Sequence, residues 1–160
     1  MAVEKTKVVA PPKGLSRIMF RLPIWLYRLH LGWLLGGRFI LINHIGRKTG
    51  LPRRAVVEVV RHDKDARTII VASGFGKKSQ WYQNLRKTPD VTIQLGTKKY
   101  AAHAEFLSPE QGAVEMADYA RRHPSAAREL AKLMGYRVDG TPEDFQILGQ
   151  EIPFIALKYR

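Results

Sequence analysis

From Arg38 onward the apolar residues of this chain stop recurring at helical spacing. They fall instead into short alternating or continuous runs between turn residues, the pattern of extended strands. Phe39-Ile40-Leu41-Ile42 is the first run. Residues 54–60 place Ala55, Val57 and Val59 on one face and Val56, Glu58 and Val60 on the other, a strand expected to be buried on much of both sides. His62-Asp63-Lys64-Asp65 turns the chain into Thr68-Ile69-Ile70-Val71-Ala72. A helix over 79–86 must stop before Pro89, because the residue preceding a proline avoids helical angles. Beyond it Val91, Ile93 and Leu95 alternate with Thr92 and Gln94, and Gly96-Thr97 leads into a run over 100–106. Residues 151–159 form a closing strand, with Pro153 at an edge or a strand start. Five or six strands, paired mainly as consecutive hairpins, predict an antiparallel sheet or barrel.

Helices flank this region. Ser108-Pro109-Glu110-Gln111 has a cap, a proline at the first helical position and a carboxamide at the third. The helix it opens runs to about Arg122. His123-Pro124-Ser125 breaks the chain, a further helix carries Ala127, Leu130, Ala131, Leu133 and Met134, and Gly135 ends it. Thr141-Pro142-Glu143 starts the last one. Residues 1–14, with Pro11-Pro12, read as a loose arm. Residues 15–36 form an amphipathic helical segment rich in Leu and Trp but interrupted by Arg17, Arg21 and Arg28. It fails as a transmembrane span and suits either packing on the core or lying in a membrane interface. The whole, residues 1–160, is one α+β domain.

With 27 Lys+Arg against 14 Asp+Glu, the net charge of +13 calls for an anionic partner: a small polyanion, a membrane surface or nucleic acid. No aromatic-basic RNA module accompanies the charge, which argues against nucleic acid. The chain has no cysteine, and its five histidines are scattered, so neither a disulfide framework nor a metal site is expected. Nothing addresses the chain for export, making cytoplasm the default, with contact at the inner face of the membrane as an option through residues 15–36.

Two stretches concentrate cations around glycines. In Gly46-Arg47-Lys48-Thr49-Gly50-Leu51-Pro52-Arg53-Arg54 the glycines bracket one cationic pair and a second follows Pro52. Glycine permits backbone conformations that bring main-chain N–H groups close to a ligand, so Arg47, Lys48, Arg53 and Arg54 are expected to converge on something anionic. In Ser73-Gly74-Phe75-Gly76-Lys77-Lys78-Ser79-Gln80-Trp81-Tyr82 a strand ends in a glycine loop, two lysines and a helix start, the components of a phosphate site. The spacing matches neither a Walker A loop nor the dinucleotide fingerprint.

Taken together, G-R-K-T-G with Pro52-Arg53, and Ala72-Ser73-Gly74 leading to Trp81-Tyr82-Gln83-Asn84-Leu85, resemble the deazaflavin (F420)-dependent nitroreductases and F420H2-dependent quinone reductases. The resemblance is close over residues 38–107 and looser beyond. It implies a split β-barrel of the FMN-binding type, mainly antiparallel, with N-terminal and C-terminal flanking helices. It also implies a reduced deazaflavin coenzyme, F420, whose phosphodiester and oligoglutamate tail meet Lys48 and Arg53 best, with Arg47, Thr49, Arg54, Lys77 and Lys78 nearby. Hydride transfer to a quinone, a nitro compound or another activated acceptor would follow. By the same resemblance the backbone at Ser73 and Gly74, with Phe75 and Gly76 following, approaches the ring. Trp81 and Tyr82 line the pocket or anchor the helix, anchoring being preferred for Trp81, and Asn84 satisfies local backbone. Where relatives carry a tyrosine cluster, this chain offers only Tyr136 and Phe145. No catalytic residue is assigned: Tyr136 is the one candidate to donate a proton or hydrogen bond to the acceptor, a structural role being preferred for it, and the acceptor stays open. An FMN oxidoreductase on the same barrel and a non-enzymatic binder of anionic ligand or membrane are the competing classes. Monomer and homodimer are both compatible.

Overall fold

A computed structural model describes residues 4–5, 38–74, 76–133 and 135–160. Six strands close into an antiparallel barrel: β2 (Phe39–Ile45), β3 (Pro52–Asp63), β4 (Thr68–Ala72), β5 (Asp90–Leu95), β6 (Lys98–Phe106) and β8 (Phe154–Tyr159), in the order β2-β3-β4-β8-β6-β5. Four described helices accompany it: α1 (Gln80–Lys87), α2 (Pro109–Arg122), α3 (Pro124–Leu133) and α4 (Pro142–Glu151). Two residues of the expected loose arm are tied down. Glu4–Lys5 (β1) pairs antiparallel with Tyr136–Arg137 (β7), which holds their backbone in a ladder. The rest of that arm and the amphipathic segment over 15–36 lie outside the described residues, as do Phe75 and Met134.

Alternation along each strand sorts the apolar residues into two cores. Ile40, Ile42, Ile69, Val71, Val91, Ile93, Ala102, Ala104, Ile155 and Leu157 fill the barrel, with Val57 and Val59 against them. The opposite faces carry Val60, Ile70, Phe154 and Ala156, which pack with α2, α3 and α4 through Met116, Tyr119, Ala127, Phe145 and Leu148. A bulge between Val59 and Arg61 shifts the phase of β3. Ahead of it Val59 faces inward opposite Val71; beyond it Arg61 faces outward opposite Ile70, and His62 points inward opposite Ile69. Arg61 thereby reaches Glu115 on α2 through Nε to Oε2 at 3.0 Å and Nη2 to Oε1 at 2.9 Å. Gly112 and Gly149 let α2 and α4 touch backbone to backbone, where a Cβ on either would collide with the other's carbonyl.

One expectation is corrected and one is narrowed to the second of its two alternatives. Of the six barrel ladders only β2-β3, β3-β4 and β5-β6 join consecutive strands; β2-β5, β4-β8 and β6-β8 close the barrel across long sequence separations. Pro153 precedes β8 and marks a strand start, and it cannot mark an edge, because closure leaves the barrel none. The helix starts behave as expected: Ser108 and Gln111 form a reciprocal capping box, and Thr141 accepts from Asp144 N–H. No helix among the described residues is long and apolar enough to cross a membrane.

Candidate functional site

Strand direction and register place both glycine turns at one end of the barrel, where β2 and β4 finish and β3, β5 and β8 begin. The first turn links β2 to β3. Gly46 N–H donates to Leu51 O at 2.9 Å and Gly50 N–H to Gly46 O at 2.8 Å. Gly50 sits at φ +71°, the left-handed region, and a Cβ at Gly46 would lie 2.7 Å from Thr49 Oγ1. That oxygen accepts from Leu51 N–H at 3.2 Å, so Thr49 holds the turn from within.

The second loop follows β4. Ser73 is fully buried; its N–H donates to Pro153 O at 2.9 Å and its hydroxyl to Gly76 O at 2.6 Å. Gly76 has φ +80° with open space over it, and a 3-10 turn, Gly76–Lys78, presents both lysines to solvent before α1 begins. Helix α1 plugs this end of the barrel with Tyr82 and Leu85, and Trp81 packs half-buried beside them. Tyr82 meets Phe106 edge-on at 5.4 Å, while the Arg86 guanidinium covers that ring at 4.8 Å.

Helix α1 also grips the first turn. Asn84, 4% exposed, accepts at Oδ1 from Arg47 N–H and from Arg47 Nη1, both at 3.0 Å. Arg47 Nη1 donates again to Gln80 Oε1 at 2.9 Å, and Lys87 Nζ donates to Arg47 O at 2.8 Å. On its other side the Asn84 amide lies 3.1 Å from His44 Nδ1. Burial first, and the Arg53 guanidinium second, push His44 from its ordinary 6.5 down to about 4. The imidazole is therefore neutral at physiological pH, and Nδ1 accepts from Asn84 Nδ2. Asn84 was expected to satisfy local backbone; it bridges elements 37 and 40 residues away.

Between turn, loop and helix lies a cleft of about 510 Å³ lined by Arg47, Lys77, Tyr82, Gln83, Arg86 and Lys87. One cation from each glycine turn meets two from α1, and no carboxylate lines the space. Lys48 and Arg53 stand exposed on the same hairpin outside the lining, as do Thr49 and Arg54. The four hairpin cations do not converge on one point. Arg53 sits opposite His44 and Arg54 opposite Asn43, so strand alternation sends them to opposite faces. Lys78 is exposed next to Lys77, and Gly74 is half-buried at the end of β4. Tyr136 lies in β7 against the helical core, not in the cleft, its hydroxyl pKa raised by burial and by Glu151. His44, Gln80, Arg86 and Lys87 belong to the site without having been anticipated. His44 carried a signal: it continues the inward phase of Ile40 and Ile42, where a polar ring needs a partner.

A larger cavity of about 740 Å³ opens between α2, α3 and α4, but its charges are largely neutralised in place. Arg61 is paired with Glu115, and Arg121 with Asp118. Among the described residues no group of His, Asp or Glu could hold a metal ion.

Comparison with known proteins bears on this arrangement. The model of a family described as F420H(2)-dependent quinone reductase matches residues 20–137. An F420H(2)-dependent quinone reductase of Mycobacterium tuberculosis H37Rv is 35% identical over 83 residues, 51% of this chain and 52% of that protein. A second from the same strain, a putative F420H(2)-dependent quinone reductase, is 32% identical over 76 residues, 46% of this chain and 62% of that protein. The chain thus spans about half the length of the first of these curated relatives. Among solved structures, an F420-H2 dependent reductase superposes with a TM-score of 0.51 at 20% identity, over 75% of this chain and 93% of that one. A Clostridium acetobutylicum protein of the pyridoxinephosphate oxidase family gives 0.51 at 10% identity, over 87% and 84%. These two likenesses show a shared split-barrel fold.

Proposed function

The chain belongs to the F420H(2)-dependent quinone reductase family, and on that premise we propose that it binds reduced coenzyme F420 at its cationic cleft and passes a hydride to a quinone. The observation that carries this is the meeting of Arg47 from one glycine turn with Lys77 from the other in a single cleft without a lining carboxylate. A phosphodiester and an acidic tail match that donor set, because charge-assisted contacts to such oxygens are shorter and stronger than neutral ones. Arg47, Lys77, Arg86 and Lys87 would hold the phosphodiester. Lys48 and Arg53 would continue the cationic path for the tail over the hairpin.

When bound, the reduced deazaflavin supplies the hydride, and the protein's part is to place it and keep water out. Ser73 contributes by shaping the loop, since its N–H and hydroxyl are committed to Pro153 and Gly76. Tyr82 offers the cleft an aromatic wall held by Phe106. Nitro compounds and other activated acceptors remain within the same chemistry, and a lipid-dissolved quinone would favour a protein reaching the membrane surface through residues 15–36.

Fluorescence titration with oxidised F420 tests the cofactor. Wild type should bind at micromolar concentration, and an Arg47→Ala/Lys77→Ala variant should bind about a hundredfold more weakly, two charge-assisted contacts being lost. Unchanged affinity in that variant rejects the cleft. A yellow preparation that releases flavin on denaturation would replace F420 by FMN. Consumption of F420H2 only when a soluble quinone is added would support the acceptor, and binding without such turnover would remove it.

A further inference from the structure

Arg47 occupies an exposed turn, yet its guanidinium is held by two acceptors and its backbone by two more contacts. The acceptor that takes both its N–H and its Nη1 is one oxygen, Asn84 Oδ1. An amide presents an oxygen on one side and an NH2 on the other, and the two can exchange by a flip. Flipped, Asn84 would turn its NH2 towards both Arg47 donors, and the turn would lose its hold on the helix. What selects the working orientation is the group on the far side. His44 lies inside the barrel wall, 4% exposed, in the inward row of Ile40 and Ile42, with Nδ1 3.1 Å from the Asn84 amide nitrogen.

We infer that His44 is a positioning residue for cofactor binding: it fixes the Asn84 amide, and Asn84 aims the Arg47 guanidinium at the cleft, a role that rests on the cleft proposed above. A guanidinium already confined loses less freedom when an anion arrives. A neutral imidazole suits this because Nδ1 must accept; a proton there would put two donors face to face. The buried ring touches no cleft space itself, for the lining includes Arg47 and not His44.

The test is fluorescence titration of the full chain with oxidised F420, alongside thermal melting, in His44→Leu, His44→Asn, Arg47→Ala, Lys77→Ala and the His44→Leu/Arg47→Ala double variant. Leucine keeps an apolar body and removes the acceptor. Asparagine restores an acceptor oxygen as many bonds from Cβ as Nδ1. His44→Leu should weaken binding about tenfold, the scale of one charge-assisted contact, and the double variant should be no weaker than Arg47→Ala alone. His44→Asn should recover most of the loss. Additive losses in the double variant, wild-type affinity in a folded His44→Leu, or failure of asparagine to recover affinity while restoring the melting temperature would each overturn the role of His44. Wild-type affinity in both Arg47→Ala and Lys77→Ala would instead reject the cleft, and the role of His44 with it.

Discussion

The two ends of the barrel are both closed by aromatic rings and arginine, yet they use the cation in opposite ways. At the far end His62 Nε2 lies 2.7 Å from the Tyr159 hydroxyl, and Arg67 lays its guanidinium over Tyr159 at 4.8 Å and Tyr100 at 5.7 Å. Arg67 also donates from Nε to Tyr159 O. Its charge is occupied by the seal. At the near end Arg86 covers Phe106 in the same way, but Arg47 is steered by amides, which fix its position without neutralising it, and no ion pair among the described residues engages Arg47, Lys77 or Lys87. A net charge of +13 therefore says little by itself. A cation is available to a ligand when its neighbours orient it and leave its charge unmatched.

The largest effect should come from the brace. Asn84→Leu leaves the part-buried Arg47 donors and the buried His44 Nδ1 without their partner and overpacks the plug, costing about 4 kcal/mol of stability by chemical denaturation. It should abolish measurable F420 binding in whatever remains folded. A loss under about 1 kcal/mol would show that the near end does not depend on this amide.

Acid should act at the same place. His44 is pushed down to about 4 in the folded chain from an ordinary 6.5. Between those values the unfolded chain takes up a proton that the folded one refuses, so the contribution is complete above pH 6.5 and is lost as pH falls towards 4. The loss approaches about 3 kcal/mol. Denaturation at pH 7 and pH 4.5 should show wild type losing more stability than His44→Asn; equal losses would mean that His44 is not the buried neutral base.

At the far end the expectation is smaller and excludes binding. Arg67 has φ +50°, a conformation costly for any side chain. Arg67→Ala keeps that strain and loses the ring contacts, lowering stability by about 1 kcal/mol. Arg67→Gly loses the same contacts and relieves about as much strain, for little net change. F420 affinity should be that of wild type in both, and a drop in either would erase the contrast between the ends. Smallest of all, Lys78→Ala, exposed beside the cleft, should alter affinity by under about twofold.

Much of this was legible in the residues. Glycine spacing marked both turns, Ser108 and Thr141 marked helix starts, and alternation marked the strands. Local chemistry reports local pairing, so the ladders that bring β8 between β4 and β6 had no signature in the runs themselves. The convergence of Arg53 and Arg54 could have been refused at once, since neighbours on a strand face opposite ways. Asn84 was harder. It is buried on the inward face of α1 beside Leu85, but its partners lie 37 and 40 residues earlier and no spacing rule connects them.

The bulge in β3 has an engineering consequence. Because it resets which side chains point inward between Val59 and Arg61, the strand is two independently phased segments in series. Deleting Val60 would bring Arg61 directly after Val59 and still opposite Ile70, so the ladder would become regular with Arg61 outward and His62 inward, and the loss would be confined to the Val60 side chain in the helical core. Insertions and deletions in this strand should therefore be judged by whether they fall at that joint, which can absorb one residue, or in the regular ladder, where one residue reverses every side chain beyond it.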